Sequence, residues 1–133
     1  MMYQSVLLVD DDEDSNFISQ LVIKKSSITD SITCVKNGNE ALQFIINYQP
    51  TNADITEGEY DQIIFLDLHM PVMDGFDFLA QLTAKMPDYT KRIKIYILTS
   101  SSNPADIAKA KQYTIAGYIN KPLDVNKIKS LIG

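Results

Sequence analysis

Ile63-Ile64-Phe65-Leu66-Asp67 decides the fold class of this chain. Four apolar residues follow one another without a break and stop at a carboxylate. A strand with one wet face alternates apolar and polar residues. A strand covered on both faces stays apolar throughout, as the strands of a parallel sheet do. The same form recurs in Val6-Leu7-Leu8-Val9, which stops at Asp10, and in Ile95-Tyr96-Ile97-Leu98, which stops at Thr99. Ile32 to Val35 and Gly117 to Ile119 are weaker strands of the same kind.

Helical patterns fill the intervals. Phe17, Ile18, Leu21 and Val22 share one helical face, as do Ala41, Leu42, Ile45 and Ile46. Phe78, Leu79, Leu82 and Met86 form a third stripe. Pro104 to Tyr113 is a leaner fourth helix, with Pro104 in the first turn and Asn103 or Ser102 as its cap. Val125, Ile128, Leu131 and Ile132 mark a fifth. Five β–α repeats predict an α/β fold, a doubly wound parallel sheet with helices on both sides. Right-handed crossovers put every strand's C-terminal end on one edge, where ligand chemistry gathers.

The residues at that edge carry the chemistry. Asp10-Asp11-Asp12-Glu13-Asp14 follows the first strand, Asp67 the third, Thr99-Ser100-Ser101 the fourth and Lys121-Pro122 the fifth. Asp14, and in part Asp12 and Glu13, suit a first helical turn. Asp10, Asp11 and Asp67 should converge if the first and third strands are neighbours. Carboxylates that close repel one another, so a cation is expected among them. Lys121 supplies one charge, and a hard divalent ion, Mg²⁺ or Mn²⁺, would supply the rest. Such a site suits phosphoryl transfer, with Asp67 as nucleophile and with the metal, Lys121 and the Thr99 hydroxyl each taking one phosphoryl oxygen.

Composition bounds the alternatives. The chain has 133 residues, enough for one domain with a real core, and is expected to be a single domain with no output domain. Its net charge is −5 and its Lys and Arg form no stripe, which leaves nucleic-acid binding without electrostatic support. There is no signal-peptide pattern and no apolar run long enough to cross a membrane, so a cytoplasmic location is expected. Cys34, the single cysteine, reads as a small buried thiol between Ile32, Thr33 and Val35. The lone His69 has no evident catalytic partner in the sequence. Gln49 to Asp61 is polar and acidic and reads as a surface loop.

Val9-Asp10-Asp11, Leu66-Asp67-Leu68-His69-Met70-Pro71-Val72-Met73-Asp74-Gly75, Leu98-Thr99-Ser100 and Ala116-Gly117-Tyr118-Ile119-Asn120-Lys121-Pro122 together resemble the receiver domain of two-component response regulators, over nearly the whole chain. The resemblance implies a flavodoxin-like five-stranded sheet of order 2-1-3-4-5. It implies that Asp67 is the phospho-acceptor, Asp11 a direct metal ligand and Asp10 a ligand acting mostly through water. His69 would bind the metal through its backbone carbonyl. It also implies that Thr99 is the switch hydroxyl, that Lys121 binds the phosphoryl group, and that Tyr118 follows Thr99. Ser100 matches a position that is usually small. His69 and Ser101 occupy variable positions that tune the phosphoryl lifetime, and Lys121–Pro122 is a candidate cis bond. The long Gln49–Asp61 loop resembles that of stand-alone receivers beside phytochrome-type kinases.

The function so implied is a stand-alone response regulator rather than an enzyme. A histidine kinase or histidine phosphotransfer protein would be the donor and an unidentified protein the output partner, with the chain a monomer or a phosphorylation-dependent homodimer. Three other readings compete. A haloacid-dehalogenase-like phosphohydrolase would need an Asp where His69 stands. A flavin carrier would need phosphate-binding groups where Asp10 to Asp14 would repel them. A degenerate receiver would bind partners without phosphorylation, and the intact Asp10, Asp11, Asp67, Thr99 and Lys121 oppose that.

Overall fold

The computed structural model describes residues 3–48 and 62–131. Strands β1 (Ser5–Val9), β2 (Ile32–Val35), β3 (Gln62–Leu66), β4 (Ile93–Thr99) and β5 (Gly117–Asn120) alternate with helices α1 (Glu13–Ser26), α2 (Gly38–Asn47), α3 (Gly75–Lys85), α4 (Pro104–Ala110) and α5 (Val125–Leu131). A 3₁₀ turn at Tyr89–Lys91 leads into β4. Every strand pair is parallel, and the order is β2-β1-β3-β4-β5. This is the flavodoxin-like arrangement expected from the sequence. The expected loop Gln49–Asp61 and Ile132 of the expected fifth helix lie outside the described residues.

Unbroken apolar strands are needed because both faces of the sheet are covered. Leu7, Val9, Ile64, Leu66 and Ile97 pack with Ala41, Leu42 and Ile45 of α2, Phe78, Leu79 and Leu82 of α3, and Ala110 of α4. Their neighbours in the chain, Val6, Leu8, Ile63, Phe65, Tyr96 and Leu98, face the other way and pack with Ile23 of α1 and Ile128 of α5. Across that second face the Phe65 and Tyr96 rings stack with centroids 5.9 Å apart.

Side-chain caps fix where the helices begin. Asp12 accepts from the Asp14 and Ser15 amides, Asn37 from Glu40, Asp74 from Asp77, and Asn103 from Ala105, with Pro104 in the first turn of α4. Each of these caps lies on the loop that leaves a strand's C-terminal end, so each helix start also anchors part of that edge.

Three sequence expectations need correction. Three of the four residues of the predicted apolar face of α1 are turned outward: Phe17, Ile18 and Leu21 are 64%, 48% and 47% exposed, while Val22 is partly buried against the core. The buried face is instead Asn16, Ser19 and Ile23. Asn16 is buried at little cost because its side-chain amide donates to the Asp10 carbonyl at 2.9 Å. Ile46 of α2 is likewise exposed, although Ala41, Leu42 and Ile45 are buried as expected. Cys34 is exposed, not buried. It stands on an edge strand, and its sulfur accepts from the Gln20 side-chain amide at 2.9 Å.

Candidate functional site

β1 and β3 lie side by side in register, with Val9 opposite Leu66, so their next residues emerge together. Asp10 and Asp67 are both buried, and Asp11 is exposed. Ligand oxygens of Asp10, Asp11 and Asp67 lie within 4.8 Å of one another. Backbone groups hold the frame. The Asp67 amide donates to the Val9 carbonyl at 2.9 Å, and the Asp12 amide to Asp10 Oδ1 at 3.0 Å. The Leu68 amide donates to Asp67 Oδ1 at 2.8 Å.

Lys121 reaches this cluster from the end of β5. Its Nζ lies 2.6 Å from Asp10 Oδ2 and 3.6 Å from Asp67 Oδ2. The Lys121–Pro122 bond is cis. Lys127 of α5, which the sequence reading missed, donates to the carbonyls of Asn120 and Pro122 at 2.8 and 2.7 Å and braces the loop that carries Lys121.

Burial pushes the Asp67 carboxyl above its usual range, and the Asp10 charge adds to that rise. Lys121 and hydrogen bonds from Thr99 and Leu68 oppose it without cancelling it. For Lys121, burial alone would lower the ammonium pKa. The Asp10 hydrogen bond and the charges of Asp67, Asp10 and Asp12 outweigh burial and hold it above its usual value. The site therefore stores excess negative charge. One ammonium faces three carboxylates, and all the donors are hard oxygens. That set fits a hard divalent cation such as Mg²⁺.

The raised Asp67 pKa has a consequence for stability. Above that folded-state value the carboxylate is ionised in the fold and disfavoured there. Below the ordinary carboxylate value it is protonated in both folded and unfolded chains and contributes nothing. Asp67→Asn is therefore expected to raise the Tm of the chelator-treated protein at neutral pH. The gap should close as pH falls from the raised value to the ordinary one. Thermal melts of both proteins across that range check it, and an Asn variant less stable than wild type at neutral pH would contradict it.

From Asp67 to α3 the chain folds tightly. The Met73 amide donates to the Pro71 carbonyl at 2.8 Å, closing a three-residue turn with Val72 at φ 69°. Gly75 then donates to the Leu68 carbonyl at 3.0 Å. A Cβ on Gly75 would sit 2.5 Å from the Asp67 carbonyl oxygen and 2.9 Å from the Leu68 Cα.

Thr99, buried at the end of β4, stands at the strand end next to Asp67, where its hydroxyl counters part of the rise in the Asp67 pKa, and it accepts from the Ser101 amide at 3.2 Å. The Tyr118 hydroxyl donates to the Ser101 carbonyl at 3.0 Å, with its ring packed against the core. Ser100 is exposed beside Thr99. His69 has a hydrogen-bond partner that its place in the sequence does not disclose. Its Nε2 lies 2.8 Å from Asp106 Oδ2, and Ser101 Oγ donates to the same oxygen at 2.7 Å. Those two bonds, from Ser101 first and then His69, hold the Asp106 carboxyl below its usual range. No sequence signal marked Asp106, because it stands 37 residues from His69 and reads as an ordinary first-turn acid.

Known proteins share this pattern. A family model described as response regulator receiver domain matches residues 6–133. The response regulator Rcp1 of Synechocystis is 27% identical over 132 residues, spanning 96% of this chain and 82% of its own. A two component response regulator from Cytophaga hutchinsonii superposes with a TM-score of 0.80 at 27% identity, covering 98% of this chain and 95% of its own. The phosphorylated cyanobacterial phytochrome response regulator RcpA shares the fold, with a TM-score of 0.70 at 24% identity over 96% of this chain and 87% of its own.

Proposed function

The chain belongs to the response regulator receiver family, and from that premise we propose that it is a phosphorelay switch whose phospho-acceptor is Asp67. One observation carries the proposal: a buried carboxylate at a strand end has an ammonium at 3.6 Å, two further carboxylates beside it and the buried Thr99 at the end of the neighbouring strand. The donor is a phosphohistidine on a histidine kinase or phosphotransfer protein, and transfer takes place in the cytoplasm. An Asp67 oxygen bonds to phosphorus as the phosphorus–nitrogen bond of the donor breaks.

Asp10, Asp11, Asp67 and the His69 carbonyl would hold Mg²⁺ or Mn²⁺. When bound, the ion neutralises carboxylate charge and lowers the cost of bringing a phosphate dianion in. Lys121 stays paired with Asp10 and offers its remaining donors to the phosphoryl oxygens. Thr99 turns its hydroxyl to another of those oxygens and gives up accepting from the Ser101 amide. Tyr118 is bonded to the same Ser101, so its ring follows. The change biases a surface made of α4, β5 and α5, and output passes through protein contact or dimerisation there.

Backbone amide spectra test the switch. With Mg²⁺ and acetyl phosphate, the amides of Thr99, Ser101 and Tyr118 are expected to shift together with those around Asp67. Shifts confined to Asp10, Asp11, Asp67 and Leu68 would defeat the switching part of the proposal.

A further inference from the structure

We propose that Asp106 is a positioning residue that ties His69 and Ser101 together across the mouth of the phosphorylation site and thereby prolongs the life of the phosphoryl group. The inference rests on the phospho-acceptor reading of Asp67 and deepens it. His69 stands two residues past Asp67 on the β3–α3 loop, and Ser101 two residues past Thr99 on the β4–α4 loop. The two loops leave adjacent, paired strands. Asp106 Oδ2 accepts from Ser101 Oγ at 2.7 Å and is bonded to His69 Nε2 at 2.8 Å, so a single carboxylate oxygen closes a bridge between them.

Other bonds hold Ser101 in place at the same time. Its amide donates to Thr99 Oγ1 at 3.2 Å, its carbonyl accepts from Tyr118 at 3.0 Å, and its hydroxyl oxygen accepts from the Asn103 amide at 3.3 Å. Asp106 itself is on α4, one turn after the cap at Asn103, which fixes its carboxylate relative to the loop. His69 has no such support: its side chain is 61% exposed, and Asp106 is its one hydrogen-bond partner among the described residues. The imidazole is therefore placed by Asp106 rather than by packing.

Hydrolysis of an aspartyl phosphate needs water in line with the breaking bond. The water oxygen bonds to phosphorus, the phosphorus–oxygen bond to Asp67 breaks, and phosphate leaves with the water's protons while the carboxylate is regained. The bridge joins the loops that follow β3 and β4, two residues past Asp67 and two past Thr99, and on this proposal it narrows the approach of that water. Removing Asp106 frees the His69 ring to swing into solvent and opens the approach.

The experiment follows the decay of phosphorylated protein after acetyl phosphate is removed, with Mg²⁺ held constant. Asp106→Ala loses both bonds, whereas Asp106→Asn keeps one accepting oxygen. Decay is expected to quicken in the order wild type, Asn, Ala, by roughly three- to tenfold for Ala, the factor that losing a hydrogen bond makes. Because Asp106 acts through His69, Asp106→Ala should add nothing in a His69→Ala background. Decay of both Asp106 variants at the wild-type rate would overturn the inference. So would fully multiplicative effects in the double variant, which would mark a general loosening of α4. Wild-type protein that takes up no phosphoryl group at all would overturn the phospho-acceptor reading itself, and the bridge's role with it.

Discussion

Lys121→Met is expected to slow phosphorylation of Asp67 by acetyl phosphate about a hundredfold, the loss that follows removal of one preorganised donor from a transition state. The ammonium lies 2.6 Å from Asp10 and 3.6 Å from Asp67, close enough to meet the oxygens of a phosphoryl group on Asp67. Methionine fills a similar volume without the charge, so the loop is kept while the electrostatics are lost. The remaining carboxylates then have only a metal ion against them, and a dianion approaching them is repelled. Initial rates of mass gain at fixed Mg²⁺ measure the effect. A rate within threefold of wild type would mean that Lys121 is a structural partner of Asp10 and not part of the transfer.

Gly75→Ala is expected to cost about 3 kcal/mol of stability, at the upper end of overpacking effects. The obstruction is main chain: the new Cβ would sit 2.5 Å from the Asp67 carbonyl oxygen and 2.9 Å from the Leu68 Cα. Neither can rotate away, as a long side chain could. Relief requires moving either the first turn of α3 or the backbone that carries Asp67. The Gly75 to Leu68 hydrogen bond at 3.0 Å would go with it. Folding and function therefore should fall together, with a lower urea midpoint and slower phosphorylation. An alanine variant with an unchanged midpoint would show that this junction yields more readily than its geometry implies.

These two positions also show what a sequence discloses. The convergence of Asp10, Asp11, Asp67 and Lys121 was legible because each group follows an apolar strand, and parallel topology sends all strand ends to one edge. The strand order came from the resemblance to receiver domains, since alternation alone fixes parallel strands but not their sequence across the sheet. Helix faces were less legible. In α1 the large residues Phe17, Ile18 and Leu21 keep helical spacing, yet the face set by Asn16, Ser19 and Ile23 is the one buried. Hydropathy favours the bulky phase, whereas the bond from Asn16 to the Asp10 carbonyl selects the other. Cys34 was misplaced because apolar neighbours say nothing about whether a strand lies at an edge. The link from Asp106 to His69 depends on two loops meeting across paired strands, and periodicity cannot show that.

Intact mass after incubation with acetyl phosphate and Mg²⁺ tests the central claim most directly, run beside Asp67→Asn and a chelator-treated sample. A gain of one phosphoryl group is expected in the wild type and in neither control. A gain that survives in Asp67→Asn, or no gain in the wild type with either acetyl phosphate or a phosphohistidine donor, would contradict it.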